Sequence, residues 1–455
     1  MAVFRKELFK KSQSEPGTLK KLYDEGAKTN QIAAQLLGFP KMKEVMHKWR
    51  KQCQISVVPK NISEIAAILE SDVWEKELRY EMIEIDAESG AVTQTKHHFQ
   101  PYAIKNVRAE IAVIESHVVF GWPTFAAVLK EASVGFIDGT FNVVPNVSGA
   151  IQLLNVMVEY GGQHFPIAFA LLSRKTEEAY VAVLRCVMQF LIPSFKPKII
   201  ITDFEAALEN AVKTVFPQAE LLGCRFHHSQ ALIKRFHSRS VISRVKRECP
   251  HLMEEAYTFE RNLMDLCLLP AEFIPEGFRL IDERIESEYP ELALIFTDAR
   301  EYYARFWIKG KGPKSFSHYK KSVRTNNPLE RWHRKFKEAA ATRPQFDKFM
   351  KVLKNLVQSA HLDYLTVVQG VRPHRKRSLM TECRENLLVQ AWEEMGNLST
   401  YNLEERKQRM ERFLEAVSSF RSRTAELANK VSVSFVRWSI VVVYIMPSFE
   451  ITKCR

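Results

Sequence analysis

Between Ser133 and Cys224 the apolar pattern changes its period in a set order, and that order restricts the fold more than any other feature of the chain. The segments SVGFIDGTF, GAIQLLNVMVEYG and QHFPIAFALLS read as three consecutive strands, with Tyr160, Gly161 and Gly162 supplying a tight turn between the second and third. TEEAYVAVLRCVMQFLI then reads as a helix, with Thr176 as its N-cap and Ala179, Val183, Val187 and Phe190 near one face. After the break PSFKPK, the run IIIT is apolar on both faces, the mark of a strand central in a sheet. A helix (EAALENAVKTVF), a turn at Pro217 and a strand (AELLGC) complete the order β-β-β-α-β-α-β.

Two acids stand where this order would bring them together: Asp138 in GFIDGTF and Asp203 in IIITDFE. A third, Glu330 in TNNPLERWH, follows a turn shaped by Asn326, Asn327 and Pro328 and opens a basic helical stretch. Each acid has an ordinary explanation by itself. Asp before Gly forms turns, Asp caps helices, and Glu suits a first helical turn. A turn former and a cap have no reason to meet in space, whereas the strand order makes Asp138 and Asp203 neighbours. The reading is an α/β fold with an RNase H-like core, a mixed five-stranded sheet with helices, a large helical insertion, and helical N- and C-terminal arms. Hard carboxylates from distant segments suit Mg²⁺ or Mn²⁺ and phosphate chemistry.

A formal net charge of +13 over 455 residues favours an acidic partner, with a polyanion such as nucleic acid the leading candidate, and charge does not say which one. The seven cysteines are scattered, odd in number and form no Cys-x-x-Cys pair, which fits a reducing compartment. The N-terminus lacks an apolar core of signal-peptide length, pointing away from secretion. The apolar run VSVSFVRWSIVVVYIM carries Arg437 near its centre and is shorter than the ~20 residues of a membrane span, so no membrane is expected. The chain has no Walker loop, Rossmann glycine triplet or Gly-x-Ser-x-Gly elbow.

The remaining segments divide the chain as follows. Residues 1–70 form a helical arm, within which Thr29 to Lys51 can be drawn as a helix-turn-helix or as a plain solvated helix pair. Residues 71–130 are a linker or packing region, 131–228 the first part of the core, 229–322 the helical insertion, 323–345 the core helix carrying the third acid, and 346–455 a helical C-terminal region. Cys224 and His227 have Cys-x-x-His spacing, but His228 and His237 are irregularly placed as further ligands. No zinc is expected; a small buried thiol beside a histidine facing the site or DNA fits better. The cluster RPHRKR, Arg372 to Arg377, reads as a phosphate contact, a nuclear localisation signal or a solvated loop.

Taken together, GFIDGTF, TDFEAALENAV, VFPQAELLGCRFHH and RTNNPLERWHRKFK resemble the transposase domain of Mutator-like elements (MULE), over roughly residues 100–340. The segment from EPGTLKKLYDEG to PKNISEI resembles the linker that follows a FLYWCH zinc finger in animal relatives, and no Cys-Cys-His-His set precedes Leu19. The resemblance implies a DDE-type DNA transposase, with Asp138, Asp203 and Glu330 as catalytic residues and as ligands of two Mg²⁺ or Mn²⁺ ions. It implies His227, Arg324, Arg331, His333 and Arg334 at the DNA, Cys224 as a structural residue near the site, a homo-oligomer on transposon ends, and a nuclear location. Two alternatives stand beside it: a domesticated or truncated non-catalytic DNA-binding descendant, and an RNase H-like nuclease acting on RNA or hybrids.

Overall fold

The computed structural model describes residues 1–14, 18–52, 58–85, 91–108, 113–238, 240–371 and 379–433. The RPHRKR cluster and the apolar run beyond residue 433 lie outside them. Two compact units are formed: Met1–His227 with the described residues 323–371, and His228–Ser322 with the described residues 379–433.

The first unit is built on strands. A small antiparallel pair, β1 (Tyr80–Ile85) and β2 (Val92–His97), precedes β3 (Gln100–Arg108), β4 (Val113–Gly121), β5 (Val134–Thr140), β6 (Gln152–Tyr160), β7 (Gln163–Leu172), β8 (Ile199–Thr202) and β9 (Glu220–Gly223). Among the described residues, these last seven form one mixed sheet in the order β3-β4-β7-β6-β5-β8-β9. The β5-β6-β7 meander is antiparallel, and Gly161 and Gly162 both take positive φ (57° and 73°) in the two-residue turn between β6 and β7, as the strand twist requires. β8 pairs in parallel with β5, and β9 with β8. Thr176 caps the helix Glu177–Cys186 by accepting from the Ala179 N–H at 3.3 Å.

The sheet is thus wider than the five strands read from the sequence. β3 and β4 add to the β7 edge, His117 to Phe120 of β4 pairing with Leu172 to Phe169. The physical reason lies in β7 itself: every residue from Phe165 to Leu172 is buried, so this strand cannot be an edge and needs a neighbour on each side.

The cross-strand row Asp138–Asn155–Phe169–Phe120 marks one face of the sheet. That face is covered by helices Asn327–Ala340 and Phe346–Val368, through Trp332 on Phe169 (ring centroids 5.1 Å apart) and Phe349 on Phe120 (6.5 Å). On the opposite face Gln152 meets Tyr180 of the helix Glu177–Cys186. The N-terminal helices Ala2–Ser14, Leu19–Thr29 and Phe39–Gln52 have a separate small core of Phe4, Leu8, Leu22, Tyr23, Met42 and Met46.

The second unit is helical. Helices Met253–Asp265, Ile274–Glu288, Leu379–Met395 and Leu403–Val433 enclose apolar side chains such as Leu263, Ile281 and Leu414. The Phe236, Phe259 and Phe296 rings pack together, with Phe259 and Phe296 stacked at 5.2 Å. Trp392 Nε1 donates to the Leu268 carbonyl at 2.9 Å, and Arg406 Nε reaches both carboxylate oxygens of Glu276.

Gly139 lies within β5, opposite Leu154, so the Asp-Gly pair is a strand feature and not a turn. A Cβ at Gly139 would stand 1.8 Å from Gln152 Nε2 and 2.6 Å from its Cδ. Gln152 is 2 % exposed and hydrogen-bonded to Tyr180, so it has little freedom to yield. Gly139→Ala is therefore expected to destabilise the protein by ~1–3 kcal/mol, read as a lower midpoint in urea unfolding with an unchanged slope.

Candidate active site

The parallel register of β5 and β8 aligns Phe136 with Ile201, so the positions two residues further on, Asp138 and Asp203, fall side by side at the C-terminal ends of adjacent strands. Neighbouring strands run ~4.8 Å apart, within strong mutual influence for two carboxylates. Asp138 is in β5 and 7 % exposed. Its Oδ1 accepts from the Gly139 N–H at 2.9 Å. Asp203 follows β8 directly, and its Oδ1 accepts from the Glu205 N–H at 3.1 Å, closing the turn into the helix Ala206–Val215. Phe204 folds over Gly223, with ring atoms 2.1 to 2.9 Å from where a Cβ would be.

Glu330 sits in the first turn of helix Asn327–Ala340 and is partly exposed. Its Oε1 is 3.7 Å from His227 Nε2. The charges of Asp203, Glu330 and Glu205 all act on Asp138. Burial, then the charge of Asp203, hold the Asp138 carboxyl up at about 8; the Gly139 hydrogen bond opposes this, and Glu330 and Glu205 add to the rise. Asp203 is also raised, first by burial and then by Glu205, against the Glu205 N–H, His227 and Lys175.

Several residues at the site carry no signal in the sequence pattern. Glu205 forms a 2.8 Å ion pair with Lys175 Nζ and accepts from the Tyr180 hydroxyl at 2.9 Å, adding a fourth acid beside Asp203. Its position two residues after Asp203 could have suggested it; nothing in the sequence links Lys175 or Tyr180 to the same place. Asn155 lies directly across from Asp138 on β6 and is completely buried, with no hydrogen-bond partner for either amide atom among the described residues. His227 Nδ1 is also buried, with no hydrogen-bond partner among the described residues.

The other residues singled out from the sequence divide into two kinds. Arg331 and Arg334 are exposed on the helix that carries Glu330, and Arg324 accepts at its carbonyl from the Arg225 N–H at 2.9 Å. His333 is turned inward; burial depresses its imidazole to about 4, so it is neutral at neutral pH and offers no charge to a phosphate. Cys224 is fully buried, and burial pushes its thiol up to about 11.

The donor types suit a hard divalent cation: the carboxylate oxygens of Asp138 and Asp203, with the Asn155 amide, unpartnered among the described residues, opposite Asp138. Among the described residues, no three His, Cys, Asp or Glu side chains are grouped as a preformed metal cage.

The fold is a mixed α/β sheet with two acids at the ends of adjacent parallel strands and a third acid on a covering helix. The family model described as MULE transposase domain matches residues 134–231, from the start of β5 into the helix Arg225–Ile233. Residues 134–231 are thus similar to a MULE transposase domain, which points to a transposase-related protein. No curated protein matches the chain. Among the described residues no helix is long and apolar enough to cross a membrane.

The raised Asp138 carboxyl gives a sign to the pH dependence. Its ordinary value near 3.8 applies unfolded and about 8 applies folded, so its contribution to stability is full below pH ~4 and is lost as pH rises toward 8. In EDTA, Asp138→Asn is expected to be more stable than the unsubstituted protein by a margin that grows between pH 5 and 8 to a few kcal/mol. Denaturant unfolding of the two proteins across that range measures it, and the difference between them cancels the opposite slope of buried His333 and His361.

Proposed function

We propose that this protein is a DDE-type DNA transposase whose Asp138, Asp203 and Glu330 carry phosphoryl transfer on double-stranded DNA. The observation that supports it best is the pairing of Asp138 and Asp203 on neighbouring parallel strand ends, with the charges of both Asp203 and Glu330 felt at Asp138. The strand order β7-β6-β5-β8-β9, three antiparallel and two parallel, supports reading the sheet as an RNase H-like core widened by β3 and β4.

Asp138, Asp203 and Glu330 would hold two Mg²⁺ or Mn²⁺ ions, which when bound activate a water or 3′ hydroxyl and neutralise charge on the leaving oxygen. The protein's own part is positional. β5 positions the Asp138 carboxylate and the turn after β8 that of Asp203, while burial favours the protonated form of Asp138. His227 Nε2, beside Glu330, is placed to steady that carboxylate or to meet a phosphate oxygen. Arg331 and Arg334 present exposed cations to the DNA backbone, with Arg324 and the neutral His333 closer in. Lys41, Lys43, His47 and Lys48, exposed on Phe39–Gln52, form a second basic surface in the position of a helix-turn-helix reader. Action on two transposon ends calls for a homo-oligomer, and chromosomal DNA as substrate for a nuclear location.

Labelled duplex DNA incubated with the purified chain and Mg²⁺ or Mn²⁺ tests this reading. Nicking or strand joining is expected to fall ~100-fold or more in Asp138→Asn. Metal-independent binding with no cleavage would replace it by a non-catalytic DNA-binding descendant, and preferential cleavage of an RNA–DNA hybrid by a nuclease of the same fold. Separately, Arg331→Ala and Arg334→Ala are each expected to weaken DNA binding at all sequences and to lower the slope of log K against log salt by ~1, measured by fluorescence anisotropy.

A further inference from the structure

The Cys-x-x-His segment has a part to play that metal binding does not explain. Cys224 directly follows β9, and its N–H donates to the carbonyl of Thr202, the residue before Asp203, at 2.8 Å. Its thiol donates to Asn326 Oδ1 at 2.9 Å, and the Asn326 N–H donates back to Cys224 Sγ at 3.3 Å. The Asn326 carbonyl then accepts from the N–H groups of Leu329 (2.8 Å) and Glu330 (3.3 Å), starting the helix that bears the third acid. Next to this link the Arg225 N–H donates to the Arg324 carbonyl at 2.9 Å. An unbroken chain of hydrogen bonds therefore runs from the peptide preceding Asp203, through one sulfur atom, to the backbone of Glu330.

Two features mark the link as more than packing. Asn326 occupies the N-cap position but makes no side-chain cap bond, although an asparagine there ordinarily caps its own helix. Its side-chain Oδ1 is committed to the thiol instead, so the helix start is secured to the residue after β9 at the expense of its local cap. Cys224, Asn326 and Leu329 are also 0 % exposed, so no solvent competes for these bonds. A neutral thiol is needed to donate, and burial keeps this one neutral.

We propose that Cys224 is a positioning residue: its thiol, bonded in both directions to Asn326, sets the place of Glu330 relative to Asp203. This rests on the metal-dependent reading of the three acids given above. Serine can repeat both bonds with a shorter reach, whereas alanine repeats neither.

The test is Mn²⁺ binding to the full chain, followed by electron paramagnetic resonance of free Mn²⁺, with metal-free DNA binding and thermal unfolding measured on the same proteins. Cys224→Ala and Asn326→Ala are each expected to weaken Mn²⁺ binding ~10-fold or more, as loss of an outer-shell support does, with metal-free DNA binding unchanged. Cys224→Ser is expected to recover most of the loss, and the double variant Cys224→Ala with Asn326→Ala to be no worse than either single one. Should Cys224→Ala fail to fold, Asn326→Ala and Cys224→Ser carry the comparison. The proposal is overturned if these variants bind Mn²⁺ as the unsubstituted chain does while Asp138→Asn does not, or if serine is as deficient as alanine. If Asp138→Asn also leaves Mn²⁺ binding unchanged, the metal-dependent reading itself falls, and the clamp with it.

Discussion

The parallel pairing of β5 with β8 is the constraint from which the site follows. A parallel pair needs a long crossover, here β6, β7 and the helix Glu177–Cys186, and in return it brings the C-terminal ends of two interior strands together. Acids placed there, Asp138 and Asp203, cannot separate without breaking the ladder that positions them. The cost is electrostatic, and it appears in Asp138, whose ionisation is opposed by burial and by its neighbour. The result is a carboxyl that keeps its proton to a pH well above the ordinary carboxylate range.

The third acid is held by different means. Glu330 lies on a helix, outside the sheet's hydrogen bonding, and its position depends on packing and on the Cys224–Asn326 link. Trp332 presses on Phe169, while Asn326 joins the helix start to the end of β9. These contacts lock the helix against one sheet face and leave Arg331, Arg334 and Lys335 on the exposed side. One helix thus carries both a partly buried acid and cations exposed to solvent.

Much of the core could be read directly. The strands around Asp138 and Asp203, the Gly161–Gly162 turn and the Thr176 cap depend on local rules, and each has a local sequence signal. The sheet's extra width had none that was used, although the unbroken burial of β7 from Phe165 to Leu172 required it. Glu205 and Lys175 escaped notice because an ion pair between separate segments has no periodicity to betray it. His333 illustrates the reverse problem: it stands among basic residues in sequence, yet the helical turn directs it inward, where burial removes its charge.

The sequence by itself determined the order of elements from β5 to β9 and the placing of Asp138 and Asp203 at strand ends, because strand and helix periods, turn glycines and caps act over a few residues. Only the tertiary structure decided which polar groups meet: that Asn155 opposes Asp138, that Glu205 joins Asp203, and that Cys224 bonds to Asn326. Those pairings bridge segments far apart in the chain, and their distances and burial come from how the sheet and its covering helices pack. Charge state follows from that packing, as the raised Asp138 and the depressed His333 both demonstrate, since desolvation belongs to a place in the fold and not to a residue type.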